Sequence, residues 1–178
     1  KSIATCKPPD YDIAGILYKM YGDQYKCVSI KNNKWYEMIN GRWSEIDSGT
    51  TLRKKLSSQL SVKYTLKQKE ILQKFHSIDE NFSTDNTTNV SNNENQDDVA
   101  RKALQKTARR VADISLDLRR TAHKNNIMKE AKEHFFDKHF MDKLDNNPNL
   151  LCFKNGVVDF DKKIFRMAKP DDYVSLCT

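Results

Sequence analysis

The chain of 178 residues has little that would break or staple it. With 5 glycines and 4 prolines, most of it is free to form regular elements. Its four cysteines, Cys6, Cys27, Cys152 and Cys177, are widely spaced and form no CxxC pair. A zinc site built on paired ligands is therefore not expected, and reduced core thiols are the expected state. No apolar run approaches the roughly 18 residues that a membrane span needs. The start is not the charged-then-apolar pattern of a signal peptide. There is no GxxxxGK[ST] or GxGxxG phosphate loop, no HExxH and no GxSxG. No self-sufficient active site is expected. The chain opens on Lys1 rather than Met and stops at Thr178, so it is expected to be a piece of something longer.

Charge is plentiful. The net charge is +7, with a pI near 9.1. Residues 1–78 carry 14 basic and 7 acidic side chains, and residues 99–178 carry 17 and 11. Between them, residues 79–98 have no basic and 6 acidic side chains, six Asn and the sequons at Asn81, Asn86 and Asn89. That stretch reads as an acidic connector or surface loop between two basic lobes. We expect a single domain of 1–178 around it, because each half alone is small.

The predicted elements give an α+β fold: an N-terminal helix, a three-stranded antiparallel meander, a helical middle and a C-terminal β-hairpin. A helix spans Tyr11–Tyr21, with Asp10 before it, Ile13, Ile16, Leu17 and Met20 inward and Gly22 after it. Strands follow at Tyr25–Ile30, Trp35–Ile39 and Arg42–Ile46. Asn40-Gly41 is a strong hairpin signal, because both central residues must take positive φ. It pairs Met38 with Trp43 and Trp35 with Ile46. A two-residue turn at Asn32-Asn33 pairs Ile30 with Trp35 and Cys27 with Met38. Tyr25, Cys27, Tyr36, Met38 and Trp43 then share one face, and Val28, Ile30, Trp35, Ile39 and Ile46 the other. Leu52, Leu56 and Leu60 mark a helix capped by Thr50 or Thr51. Tyr64–Phe75 is helical, with Leu66, Leu72 and Phe75 inward.

The clearest helix is Val99–Ala122, capped by Asp98, with Leu104, Ala108, Val111, Ser115 and Leu118 inward. Another runs from Ile127 to Leu144, apolar at Phe135, Phe136, Phe140 and Leu144. Leu150–Phe153, Asn155-Gly156 and Val157–Phe160 form a hairpin, followed by a short strand at Ile164–Met167.

Candidate chemistry is sparse. Glu130 and His134 could share a helix face as a metal pair, but a solvent-facing ion pair is the expected role. His134 and His139 fall on different faces. Asp171-Asp172 reads as a loop or cap before it reads as a metal pair. His76 and His123 stand alone.

Basic lobes point to an acidic partner, most often nucleic acid. The candidate phosphate contacts are Arg53, Lys54 and Lys55, and the basic side of the 99–122 helix: Lys102, Lys106, Arg109, Arg110 and Arg120. Trp35 and Trp43 lie near Lys34 and Arg42 and could stack on bases, although hairpin tryptophans more often form core.

Two segments carry a resemblance. Tyr18 to Ile30 (YKMYGDQYKCVSI), Trp35-Tyr36 and Gly41-Arg42-Trp43 resemble the start of the domain that precedes the helicase motor in poxvirus-type primase-helicases of nucleocytoplasmic large DNA viruses. Leu151 to Asp159 (LCFKNGVVD), Phe165-Arg166 and Pro170 to Tyr173 (PDDY) resemble that domain's closing segment, which phage and plasmid primases share. The resemblance implies a primase before this region and a hexameric superfamily 3 motor after it. ATP and Mg²⁺ would belong to that motor and no cofactor to this region. Implied partners are single-stranded or forked DNA, neighbouring subunits of a homo-hexamer and the two flanking domains, with no membrane. The implied location is intracellular, in the host cytoplasm or a viral replication factory. A DNA-binding module and a purely structural collar or spacer are both compatible with that position.

Overall fold

A computed structural model describes residues 8–84 and 94–175, with side chains placed except at 78–84 and 94–98. The element order is α1 (Asp10–Tyr21), β1 (Tyr25–Ser29), β2 (Lys34–Ile39), β3 (Arg42–Asp47), α2 (Thr50–Lys55), a π-helical turn (Leu56–Leu60) and α3 (Ser61–Thr84). There follow α4 (Glu94–Asp117), α5 (Thr121–His134), α6 (Phe140–Lys143), β4 (Leu150–Phe153), β5 (Gly156–Asp159), β6 (Ile164–Arg166) and a 3₁₀ turn (Pro170–Asp172). The class is the expected mixture of helix and antiparallel sheet. Each sheet has three strands in sequence order, and the expected short strand after the C-terminal hairpin is the third strand of the second sheet. Among the described residues, no helix is long and apolar enough to cross a membrane.

The fold divides into two compact units. Of the described residues, one takes 8–9, 55–84 and 94–124; the other takes 10–54 and 125–175. In the first, α3 packs on α4 through Ile71, Ala108 and Val111, with Tyr64, Leu72 and Leu104 around them. Leu104, Ala108, Val111, Ser115 and Leu118 face inward as their spacing demands. A polar knot lies beside this core. The Ser115 hydroxyl donates to the Ser61 carbonyl at 3.0 Å and lies 2.9 Å from the Thr65 hydroxyl. Arg119 Nε donates to Ser61 Oγ at 3.0 Å. Leu66, expected inward, is 53% exposed, and Ile71 takes the buried place instead. Residues 79–84 continue α3 and 94–98 belong to α4. The middle of the acidic connector, 85–93, with the sequons at Asn86 and Asn89, lies outside the described residues. So do Cys6 and Cys177.

The second unit is built on the β1–β2–β3 sheet. The Asn40-Gly41 turn behaves as expected: both residues have positive φ, 50° and 78°, and Met38 pairs with Trp43 and Trp35 with Ile46. The β1–β2 register differs from the expectation. Cys27 pairs with Trp35 and Ser29 with Lys34, with an irregularity between them, so the turn is four residues long. Only Asn33 of the Asn32-Asn33 pair takes positive φ, at 52°. Local side-chain bonds favour the wider turn: Asn32 N–H donates to Ser29 Oγ, and the Trp35 indole donates to Asn33 Oδ1. Tyr25 and Cys27 therefore lie on the Trp35 face, not with Tyr36, Met38 and Trp43.

Both faces of this sheet are covered. Trp35 meets Phe135, with ring centroids 5.6 Å apart. Trp43 and Tyr36 pack on Phe140, with Val28, Met38, Leu144 and Tyr173 around them. The expected helix 127–144 is interrupted to make this possible. After His134 the chain runs alongside β1: Cys27 N–H donates to Phe135 O, and Asp137 N–H to Cys27 O. The free edge of β1 is thereby paired. Phe136, expected inward, is 43% exposed. The expected helix 99–122 is also two helices, broken at 118–120.

The β4–β5 turn is Lys154-Asn155, one residue earlier than expected, because Phe153 pairs with Gly156. Gly156 is in β5 with φ at 157°, and a Cβ there would lie 2.5 Å from the Arg166 carbonyl oxygen. No side chain fits beside the third strand at that point.

Candidate nucleic-acid interface

The strongest cationic feature is on α4. Residues 101–110 (RKALQKTARR) hold five basic side chains and no acidic one. At 100° per residue, Lys102, Lys106 and Arg109 fall within about 60° of one another, roughly opposite the buried row through Ala108 and Val111. All three are exposed, and their side chains form no ion pair or hydrogen bond among the described residues. They span about 10 Å along the helix axis. Asp113 continues the same stripe and ends its positive run. Arg110 sits on the flank, half-buried, and Arg101 lies 5.6 Å from the centroid of the Phe75 ring.

The other candidates are placed differently. Arg120 would have joined the stripe had the helix continued. α4 ends at Asp117, and Arg120 sits in the break, 3.1 Å from the Asp117 carboxylate. Arg53, Lys54 and Lys55 are consecutive on α2, so they point about 100° apart and form no stripe. Arg53 Nε donates to Asn125 Oδ1 at 3.0 Å. Only Lys102, Lys106 and Arg109 of the candidates are brought into one surface.

Trp35 and Trp43 are not stacking platforms. They are 0% and 1% exposed, and each indole N–H is satisfied internally, Trp35 by Asn33 and Trp43 by the Pro170 carbonyl. No ring face is left for a base.

Asp159, Asp172 and His134 are held by structural neighbours. Arg166 clamps Asp172 with two bonds of 2.7 and 2.8 Å and reaches Asp159 at 3.2 Å. The Lys162 backbone N–H, helped by Arg166, holds the buried Asp159 carboxyl below its ordinary range. Burial pushes the Asp172 carboxyl up, but the Arg166 and Lys169 N–H bonds outweigh it and the net shift is downward. Within the Asp171-Asp172 pair, Asp172 is thus a cap on the 3₁₀ turn. His134, expected in a solvent-facing ion pair with Glu130, instead packs against Tyr11, ring centroids 4.4 Å apart, and against Tyr18, over Gly15, with its Nε2 buried. Among the described residues, no group of three or more His, Cys, Asp or Glu could hold a metal ion. The Arg166 clamp was not foreseen, although its members all lie in the closing segment that carried the resemblance.

Comparison with known proteins places the chain. The family described as D5 N terminal like matches residues 14–178. A protein of Acanthamoeba polyphaga mimivirus, named "Putative helicase", is 34% identical over 168 residues, 94% of this chain and 16% of its own length. Proteins of the same name from Frog virus 3 and Invertebrate iridescent virus 3 are each 27% identical, over 92% and 93% of this chain and 18% of their own lengths. The chain therefore spans less than a fifth of the length of these relatives. With nearly all of its residues inside the match, and with the opening and closing segments in the expected order, the chain belongs to the D5 N terminal like family.

Proposed function

We propose that this chain is a non-catalytic DNA-binding and assembly module that precedes the superfamily 3 helicase motor of a viral replication primase-helicase. The observation that carries the DNA-binding half is the exposed cationic row Lys102, Lys106 and Arg109 on α4, without partners among the described residues. Such a row takes backbone phosphates without reading sequence. The names of the relatives support the helicase context. In this reading ATP, Mg²⁺ and hydrolysis belong to the motor, the neighbours are the primase, the motor and adjacent subunits of a hexamer, and the work is done in the host cytoplasm or a replication factory.

The test is fluorescence anisotropy with labelled single-stranded and forked DNA at two salt concentrations, with light scattering for mass. The variant Lys102→Glu/Lys106→Glu/Arg109→Glu should lose most of its affinity, and wild-type affinity should fall steeply with salt. Unchanged binding in the variant refutes the α4 assignment. A wild-type protein without DNA affinity leaves the collar or spacer reading in its place.

A further inference from the structure

The β4–β5–β6 sheet has an inward face and an outward face. Leu150, Cys152, Val157, Asp159 and Arg166 share the inward one. Pairing of Leu151 with Val158 and of Val158 with Phe165 puts these three, and Phe153 by alternation, on the outward one. The solvated face of an antiparallel sheet is normally polar. This one is apolar: Leu151 is 36% exposed, Phe165 is 54% exposed, and Met167 just beyond β6 is 74% exposed. Phe160, in the β5–β6 turn, is 55% exposed and adds to this apolar surface, whereas Ile164 pairs with Asp159 and belongs to the other face. Clustered exposure of this kind marks a partner. The Phe165 ring is also seated, since a Cβ on Gly156 would come within 2.8 Å of its Cζ.

The charges around the sheet indicate the kind of partner. Lys154 occupies one end, in the β4–β5 turn, and Lys162 and Lys163 the other, in the β5–β6 turn. The nearby acids are engaged: Asp159 by Arg166 and Lys162, and Asp161 by the Asn149 amide at 2.9 Å. Lysine is depleted at protein–protein interfaces. Cations bracketing an exposed aromatic ring are what unpaired strands bind, with bases on the ring and phosphates on the cations.

We infer that the outward face of the β4–β6 sheet is a stacking platform for single-stranded nucleic acid, with Phe165 as its ring and Lys154 and Lys163 on the backbone. This deepens the DNA-binding reading and rests on it, moving the base contact from the buried tryptophans to an exposed phenylalanine. Four-residue strands span about 13 Å. That is room for about four stacked nucleotides at 3.4 Å each. Leu151, Phe153, Val158 and Phe165 offer no side-chain donor or acceptor, so the platform reads no sequence.

The test uses the whole chain with fluorescein-labelled oligo-dT and oligo-dA, measured by anisotropy at several salt concentrations, and light scattering in parallel. Phe165→Leu keeps apolar bulk and removes the ring. It should weaken binding about tenfold with the melting temperature unchanged. Phe165→Tyr should bind like wild type. Lys154→Gln/Lys163→Gln should lower the salt slope by about 1.4, and Phe165→Leu should leave it alone. A wild-type protein that binds no DNA overturns this inference together with the reading beneath it. If wild type binds and the α4 triple variant fails, yet Phe165→Leu binds normally, the inference falls alone. If Phe165→Glu dissolves a dimer while DNA affinity stays constant, the face docks a second copy and the inference is also overturned.

Discussion

Phe140 should be costly to truncate. It is 0% exposed, and its ring lies 5.1 Å from those of Tyr36 and Trp43 and 5.8 Å from that of Tyr173. Removing a buried Phe ring costs about 3–5 kcal/mol when the surroundings cannot close over the cavity. Aromatic pairs add about 0.5–1.5 kcal/mol each beyond area. These terms are not additive, and about 4 kcal/mol is expected for Phe140→Ala. Against a typical stability of about 5–15 kcal/mol the variant would be left marginal. At about 2–4 °C per kcal/mol the melting temperature should fall by about 8–16 °C. Phe136→Ala is the control, because Phe136 is 43% exposed and should cost under about 1 kcal/mol. Urea unfolding followed by tryptophan emission suits the question, since Trp35 and Trp43 both belong to this unit. Equal costs for the two variants would mean that 127–144 packs as one continuous helix, and would refute the interrupted arrangement.

Other outcomes follow from the same geometry. Gly156→Ala should destabilise by about 1–3 kcal/mol, with exchange of the β5–β6 amides accelerated, because its Cβ meets the Arg166 carbonyl oxygen at 2.5 Å; unchanged amide protection would argue against that strand pairing. Asp159 and Asp172 are held below the ordinary 3.8, so their contribution is complete above that value and is lost as pH falls through the lower folded values. Melting temperatures taken from pH 6 to 2.5 should therefore drop below about pH 4, and the drop should be smaller in Arg166→Gln. Cys27 is 0% exposed and its thiol is pushed up by burial, although Ser29 and Lys132 pull the other way. It should resist alkylation at neutral pH until the protein unfolds, and rapid native labelling would contradict its placement. Arg120→Glu should leave the salt slope of DNA binding unchanged, while each of Lys102→Gln and Lys106→Gln lowers it by about 0.7.

Local signals carried furthest where one short stretch contains all the relevant physics. Asn40-Gly41 can take positive φ at both residues, so its register was legible from two letters. The Leu104–Leu118 spacing was legible for the same reason, because a helix face depends only on its own residues. Asn32-Asn33 was not, since the four-residue turn depends on bonds to Ser29 and Trp35 that compete with the tighter one. The helix breaks at 118–120 and after His134 follow no glycine or proline, and the second is imposed by pairing with Cys27. Those breaks moved Arg120 off the α4 stripe and Phe136 out of the core.

The sequence alone determined the class, the family resemblance and the excess of positive charge, all properties of composition and of short, ordered segments. Which charges and rings reach solvent was decided only in three dimensions. In sequence, Trp35, Trp43 and Phe165 all sit close to basic residues. Burial depends on what a distant part of the chain lays over them, and that chain covers both tryptophans and leaves Phe165 exposed.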